Sequence, residues 1–165
     1  MKKVVKFGGS SLANAEQFQK VGKIIRAEEA RRYVVPSAPG KRFSADIKVT
    51  DMLYDCYADA VEEKDITEKL AQIKARYDEI ITGLQLDVSL DTEFETIRKN
   101  FEEKAGKAYA ASRGEYLNGI IMSVYLGYTF VDAAEVIRFD EDEIFDEEAT
   151  DQLLADKLKN MENAV

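Results

Sequence analysis

The sequence has 165 residues, of which 45% are hydrophobic and 33% are charged, and 23 Lys and Arg against 32 Asp and Glu give a net charge of −9. This composition is typical of a single globular domain, and the acidic balance argues against nucleic acid as a partner because the phosphate backbone requires a basic surface. The absence of histidine excludes every mechanism that uses an imidazole, and the lone cysteine, Cys56, excludes a disulfide framework or a CxxC metal or redox site.

The first elements along the chain predict a βαβ unit. A short β-rich run at residues 4–7 ends at Gly8 and Gly9, apolar residues recur at helical spacing through residues 10–30, and residues 31–35 form a second β-rich run. A strand, a helix and a strand in this order are typical of two parallel strands joined by a crossover. The sequence therefore predicts an α/β protein with a mainly parallel sheet.

A loop is predicted after the second strand. Residues 36–40 contain both prolines of the chain, so they cannot continue a central strand or enter a helix. The polar residues 41–48 extend this segment as an exposed, mobile loop. A helix is then predicted from Thr50, where Thr50 or Asp51 is a suitable N-cap.

The rest of the chain is predicted to be mostly helical. Asp65 and Glu68 have the spacing of a capping box and begin a helix that ends at Gly83. Further elements follow in this order: a helix with apolar positions from Phe94 to Ala108, an apolar helix at 110–126 closed by Gly127, a strand at 128–131, a short strand at 135–139 and an acidic helix at 146–161. No repeat or linker divides the chain, so one domain is expected.

The turn after the first strand is a candidate phosphate site. Lys6 supplies a positive charge at the end of the strand, and the backbone N–H groups of Gly8, Gly9 and Ser10 can approach an anion where the next helix begins. The alternative is a strand-to-helix turn in which Ser10 or Ser11 acts as an N-cap. The pattern alone favours neither interpretation.

Three further residues are candidate ligand contacts, although the residues alone favour a structural role for each. Ser37 directly follows the second strand, at the edge of a parallel sheet where α/β proteins bind ligands, but a local hydrogen bond within a Pro-flanked turn is the favoured explanation. Thr50 is interpreted as an N-cap, and Glu115 is interpreted as a carboxylate favoured by the dipole at the start of the apolar helix. Asp132 and Glu135 could hold a cation or cap a helix, and the cap is favoured.

Four segments together resemble the amino-terminal part of the aspartate kinases, which belong to the amino acid kinase family. They are residues 6–11 (KFGGSS), 34–40 (VVPSAPG), 49–53 (VTDML) and 112–115 (SRGE). Each segment is short, but the four occur in the right order along the whole chain. The resemblance implies the N-terminal lobe of a three-layer αβα, carbamate kinase-like fold with a mainly parallel sheet.

The resemblance also implies an activity and roles for individual residues. The family phosphorylates the β-carboxylate of L-aspartate with ATP and Mg²⁺, the first step towards lysine, threonine and methionine. Lys6 is implied to act on the transferred phosphoryl group, with Gly8, Gly9 and Ser10 around the same oxygens. Ser37, Thr50 and Glu115 are implied to contact aspartate, whereas no residue is recognisable as a metal ligand.

The extent of the chain leads to the last expectations. Residues 1–165 are expected to form a partial kinase domain with the aspartate-binding lobe, without the nucleotide lobe and the regulatory ACT domains, so that little or no turnover is expected from this chain alone. The alternatives are a non-catalytic small-molecule-binding or assembly module, and a protein that completes its site with a partner chain. A cytoplasmic location without membrane contact is expected, since residues 119–131 are too short for a span of about 20 residues. Exposed sheet edges favour a homo-oligomer.

Overall fold

The computed structural model describes all 165 residues and is an α/β protein, as the sequence predicts. The elements are β1 (Lys3–Phe7), α1 (Ala15–Arg26), β2 (Arg31–Pro36), α2 (Val49–Val61), α3 (Thr67–Gly83), α4 (Asp91–Glu102), α5 (Lys107–Leu126), α6 (Ala133–Val136) and α7 (Glu147–Leu158), with a 3₁₀ turn at Gly9–Leu12. No helix is both long enough and apolar enough to cross a bilayer.

The predicted βαβ unit is confirmed, since β1 and β2 are parallel neighbours with Val5 opposite Val34. The predicted third strand at 128–131 is not a full strand. Only Thr129 is paired, through an isolated parallel bridge to Ala164, and Ala164 also pairs with Tyr33 of β2. The last residues of the chain therefore lie between β2 and residues 129–131. Hydrogen bonds from Val34 N to Ala164 O (3.0 Å) and from Val131 N to Val165 O (2.8 Å) hold them there.

The single helix predicted over residues 10–30 is divided into a 3₁₀ turn and α1. Asn14 is the reason, because its side-chain oxygen accepts a hydrogen bond from Gln17 N (3.0 Å) and caps a new helix at that point. The alternative in which Ser10 or Ser11 is an N-cap is not found, since the turn begins after Gly8 and no side chain caps it.

Other helix ends also differ from the expectation. Helix α2 begins at Val49 after Lys48, without a side-chain cap, so Thr50 and Asp51 lie in its first turn and are not N-caps. Helix α4 ends at Glu102, and the predicted continuation to Ala108 is wrong because a new helix starts at Lys107.

Side-chain hydrogen bonds test the capping box predicted at Asp65 and Glu68 and the cap predicted at Asp132. Asp65 accepts from Thr67 N (2.9 Å), but Glu68 bonds Gln72 instead of completing a capping box. Residues 135–139 are not a strand. Glu135 and Val136 belong to the short helix α6, which Asp132 caps through Ala134 N (3.0 Å), and Phe139 forms only an isolated bridge to Phe145. The capping role favoured for Asp132 is therefore confirmed.

One face of the sheet packs on the helices and the other is open. Val34 is buried in the core, with Val5 and Phe7 packed against the same core, whereas Val4 and Val35 on the opposite face are 67% and 49% exposed. Most of the core residues come from the helices, and they include Cys56, which is a free thiol. Burial raises the pKa of this thiol to about 11. The carboxyl ends of β1 and β2 meet the first turn of α2 and the middle of α5, and this junction positions the candidate site.

Candidate functional site

A cleft of about 450 Å³ opens where β1 and β2 end. It is lined by Gly9, Ser10, Ser37, Ala38, Pro39, Gly40, Lys41, Lys48, Thr50 and Glu115. These residues come from four separate parts of the chain: the turn after β1, the loop after β2, the first turn of α2 and the middle of α5. This is the sheet edge at which open α/β folds bind their ligands.

Five of the seven residues singled out in the sequence line this cleft. They are Gly9, Ser10, Ser37, Thr50 and Glu115. The other two, Lys6 and Gly8, do not line it. Lys6 pairs with Val35 in the sheet, and its side chain is exposed on the open face together with Val4.

Backbone contacts fix the turn after β1 against the loop after β2. Ser37 N donates to Phe7 O (2.9 Å) and Gly40 N donates to Gly9 O (2.9 Å). These two segments approach so closely that a Cβ at Gly9 would lie 2.8 Å from Ala38 O. A Cβ at Gly40 would lie 2.6 Å from Gly9 C. Glycine is therefore required at both positions by space.

Glu115 is placed differently from the expectation. It is the ninth residue of α5, so the favourable dipole at the start of a helix does not account for it. Its side chain is exposed in the cleft, and Oε1 accepts a hydrogen bond from Ala38 N (3.2 Å). The contact links α5 to the loop after β2 and leaves the second carboxylate oxygen free to meet a ligand.

Buried groups behind Glu115 hold this part of α5 in place. Tyr77 donates through its hydroxyl to Gly114 O (2.9 Å), and burial together with the charge of Glu115 raises the pKa of that phenol well above its usual value. Asn118, which is fully buried, donates from Nδ2 to Ser37 O (2.7 Å). The side-chain hydrogen bonds at the cleft are made by Glu115 and Asn118. The hydroxyls of Ser37 and Thr50 make none and are available to a ligand.

The loop at residues 41–48 is exposed, as predicted, and side-chain contacts connect it to α3. Asp46 is buried in it and forms ion pairs with Arg42 (2.9 Å) and with Arg76 of α3 (3.3 Å). The hydrogen bonds from Arg42 outweigh the effect of desolvation and hold the pKa of the Asp46 carboxyl far below its usual range. Burial acts in the opposite direction on Arg76 and lowers the pKa of its guanidinium.

Sequence reasoning missed several residues that build the cleft. Lys41 and Lys48 line it directly, whereas Arg76 and Asn118 support its walls. One signal was available for Arg76, which lies three residues after Ile73 and four before Ile80, on the buried stripe of α3. A charged residue on such a stripe needs a buried partner.

Comparison with known proteins gives a consistent set of relatives. The model of the amino acid kinase family matches residues 1–163. Aspartokinase 3 of Bacillus subtilis (strain 168) is 38% identical over 141 residues, which cover 81% of this chain and 31% of the relative. The crystal structure of an aspartate kinase from Clostridium acetobutylicum is 45% identical with a TM-score of 0.95, and the match covers 100% of this chain and 38% of that one.

A more distant structure supports the fold alone. Aspartokinase III of E. coli in complex with aspartate and ADP is 20% identical with a TM-score of 0.68, over 99% of this chain and 40% of that one. The present chain therefore spans about a third of the length of the relatives that it resembles.

Proposed function

The chain belongs to the amino acid kinase family, and on that premise we propose that it supplies the L-aspartate site of an aspartate kinase, which phosphorylates the β-carboxylate with ATP. The observation that carries the proposal is the convergence of Ser37, Thr50 and Glu115 on one cleft at the end of the parallel strands. The similarity to aspartate kinases at 38% and 45% identity supports the choice of substrate.

The chemistry of the cleft suits a small dicarboxylic amino acid. Glu115 offers a carboxylate to the ammonium group of the substrate, and the hydroxyls of Ser37 and Thr50 can donate to its carboxylates. The nucleophile of this reaction is a carboxylate that is already ionised at pH 7, so no general base is required. The chain has no histidine and needs none for a transfer that depends on positioning and charge.

The proposed phosphoryl contacts lie beside this group. Gly9 and Ser10 open the 3₁₀ turn at one side of the cleft, and the first N–H groups of such a turn have no acceptor within it. We assign Gly9 and Ser10 to the phosphoryl group that ATP supplies when bound. Lys6 and Gly8 lie outside the cleft, and their assignment to the same group rests on the resemblance to aspartate kinases alone. No group of three or more Asp, Glu, His or Cys side chains in the chain is arranged to hold a metal ion.

Isothermal titration of L-aspartate into the 165-residue chain tests the proposal, with succinate as a ligand that lacks the ammonium group. The wild-type chain should bind L-aspartate more tightly than succinate. Glu115→Gln should weaken L-aspartate at least about tenfold, because a charge-assisted contact contributes about 1.5–3 kcal/mol, and should change succinate little.

Glu95→Gln is the matched control, since Glu95 is exposed on α4 and away from the cleft. The proposal is wrong if the wild-type chain gives no saturable heat with L-aspartate, or if Glu115→Gln weakens both ligands equally. In the second case Glu115 supports the fold through its bond to Ala38 N and does not contact the ammonium group.

A cytoplasmic location is part of the same proposal. The lone cysteine is a free thiol in the core, as is typical of proteins from a reducing compartment. Self-association stays a prediction from the sequence.

A further inference from the structure

The loop at residues 41–48 is held at both ends by one buried side chain. Arg76 donates from Nη2 to Gly40 O (2.8 Å), just before the loop, and from Nη1 to Ile47 O (2.9 Å), near its end. The same guanidinium lies 3.3 Å from the carboxylate of Asp46. A single residue of α3 therefore fixes the two points between which Lys41 and Lys48 reach the cleft.

This arrangement is not what the stability of the core alone requires. The Arg76 side chain is only 5% exposed and that of Asp46 is 8% exposed, and removing two such charges from water is costly. The Nε of Arg76 is buried without a hydrogen-bond partner, which adds to the cost. An apolar residue on this stripe of α3 would fill the space without that cost, but it could not bind two carbonyl groups and hold the loop.

The two lysines of the loop are free to act on a ligand. Many lysines of this acidic protein form ion pairs, including Lys20, Lys64, Lys69 and Lys74. In contrast, Lys41 makes only a long contact to Ser44 O (3.5 Å), and Lys48 has no carboxylate within ion-pair distance. With Glu115 as the one acidic side chain of the lining, the cleft carries a net positive charge in a chain whose net charge is −9.

We propose that Lys41 and Lys48 bind the anionic oxygens of the ligand in the cleft, and that Arg76 is the positioning residue that holds them there. The inference rests on the proposed function and deepens it by naming an anion-binding arm. The shared chemistry is a negatively charged oxygen, which belongs either to the β-carboxylate of the substrate or to the phosphoryl group.

Titration of three ligands into the wild-type chain and Lys48→Met tests the lysine arm, and Lys41→Met is measured in the same way. The ligands are L-aspartate, L-asparagine, which lacks the second carboxylate, and inorganic phosphate. Lys23→Met is the matched control, because Lys23 is exposed on α1 and outside the cleft. Loss of one charged contact should weaken the affected anion at least about tenfold.

The outcomes separate the two sources of the anion and the two proposals. Weaker L-aspartate with unchanged L-asparagine assigns the lysines to the β-carboxylate, and weaker phosphate with unchanged L-aspartate assigns them to the phosphoryl group. Equal affinities of Lys48→Met, Lys41→Met and wild type for all three ligands overturn the inference. A wild-type chain that binds phosphate through Lys48 but does not bind L-aspartate would overturn the proposed function and leave the anion-binding arm standing.

The positioning role of Arg76 has a readout that needs no ligand. Amide hydrogen exchange in residues 41–48 should accelerate at least about tenfold in Arg76→Met, with a smaller increase in Arg76→Lys, because lysine keeps the charge but cannot span two carbonyls. Exchange in α5 should stay unchanged. If Arg76→Met does not fold, Asp46→Asn loosens the same loop from its other side and gives the second measurement. Unchanged loop exchange in the folded variants overturns the positioning role.

Discussion

Gly9 and Gly8 are adjacent glycines of the same turn, and they should respond in opposite ways to alanine. A Cβ at Gly9 would lie 2.8 Å from Ala38 O and 3.1 Å from Gly40 N, and both neighbours are backbone atoms that no rotamer change can move. Ordinary contact begins at 3.4 Å, so the loop after β2 must shift by about 0.6 Å to accept the methyl group. A Cβ at Gly8 would meet nothing within 4 Å, and the backbone there is extended (φ −77°, ψ 167°).

Gly9→Ala should therefore lower the free energy of unfolding by about 1–3 kcal/mol, as overpacking does elsewhere. Gly8→Ala should leave it unchanged or raise it by about 0.4–1 kcal/mol, because alanine restricts the unfolded chain. Urea denaturation followed by circular dichroism measures both values for the two variants and the wild type. The reasoning is refuted if Gly9→Ala is as stable as Gly8→Ala to within about 0.5 kcal/mol, since the close approach would then be easily relieved.

Two further predictions concern the loop and the sheet. Because Arg42 holds the pKa of Asp46 below its unfolded value, Asp46 stabilises the fold fully above about pH 4, and this contribution is lost as the pH falls further. Urea denaturation of wild type and Asp46→Asn should show a stability difference at pH 7 that shrinks at pH 3, and a difference that is constant between these pH values would contradict the prediction. Ala164→Pro removes the N–H that donates to Arg32 O (3.0 Å) and should destabilise the fold by at least about 1 kcal/mol, whereas Ala164→Ser keeps that donor. Faster amide exchange at Val34 and Val131 in the proline variant alone would support the role of the last residues in the sheet, and equal exchange in both variants would oppose it.

Local patterns predicted the elements well where one strong local preference decides the conformation. The β-rich runs around Val5 and Val34 became parallel strands, and Gly127 ends α5 with a positive φ of 72° that glycine adopts easily. The predictions failed where two local preferences compete. Asn14 ended the first predicted helix early because its side chain caps a new one, and neither Thr50 nor Asp51 was needed as a cap once α2 began at Val49.

The sequence by itself determined the class of fold, the family and five of the residues that line the cleft, because short glycine, serine and carboxylate patterns lie at strand and helix ends where local chemistry is readable. Only the tertiary structure decided that Ala164 joins β2 to Thr129, that Glu115 reaches Ala38, and that Arg76 holds the loop with Lys41 and Lys48. All of these contacts join residues at least 29 positions apart in the sequence. The hydrophobic periodicity of a helix does not predict which distant backbone carbonyl a buried side chain will bind, because that depends on how the helices pack on the sheet.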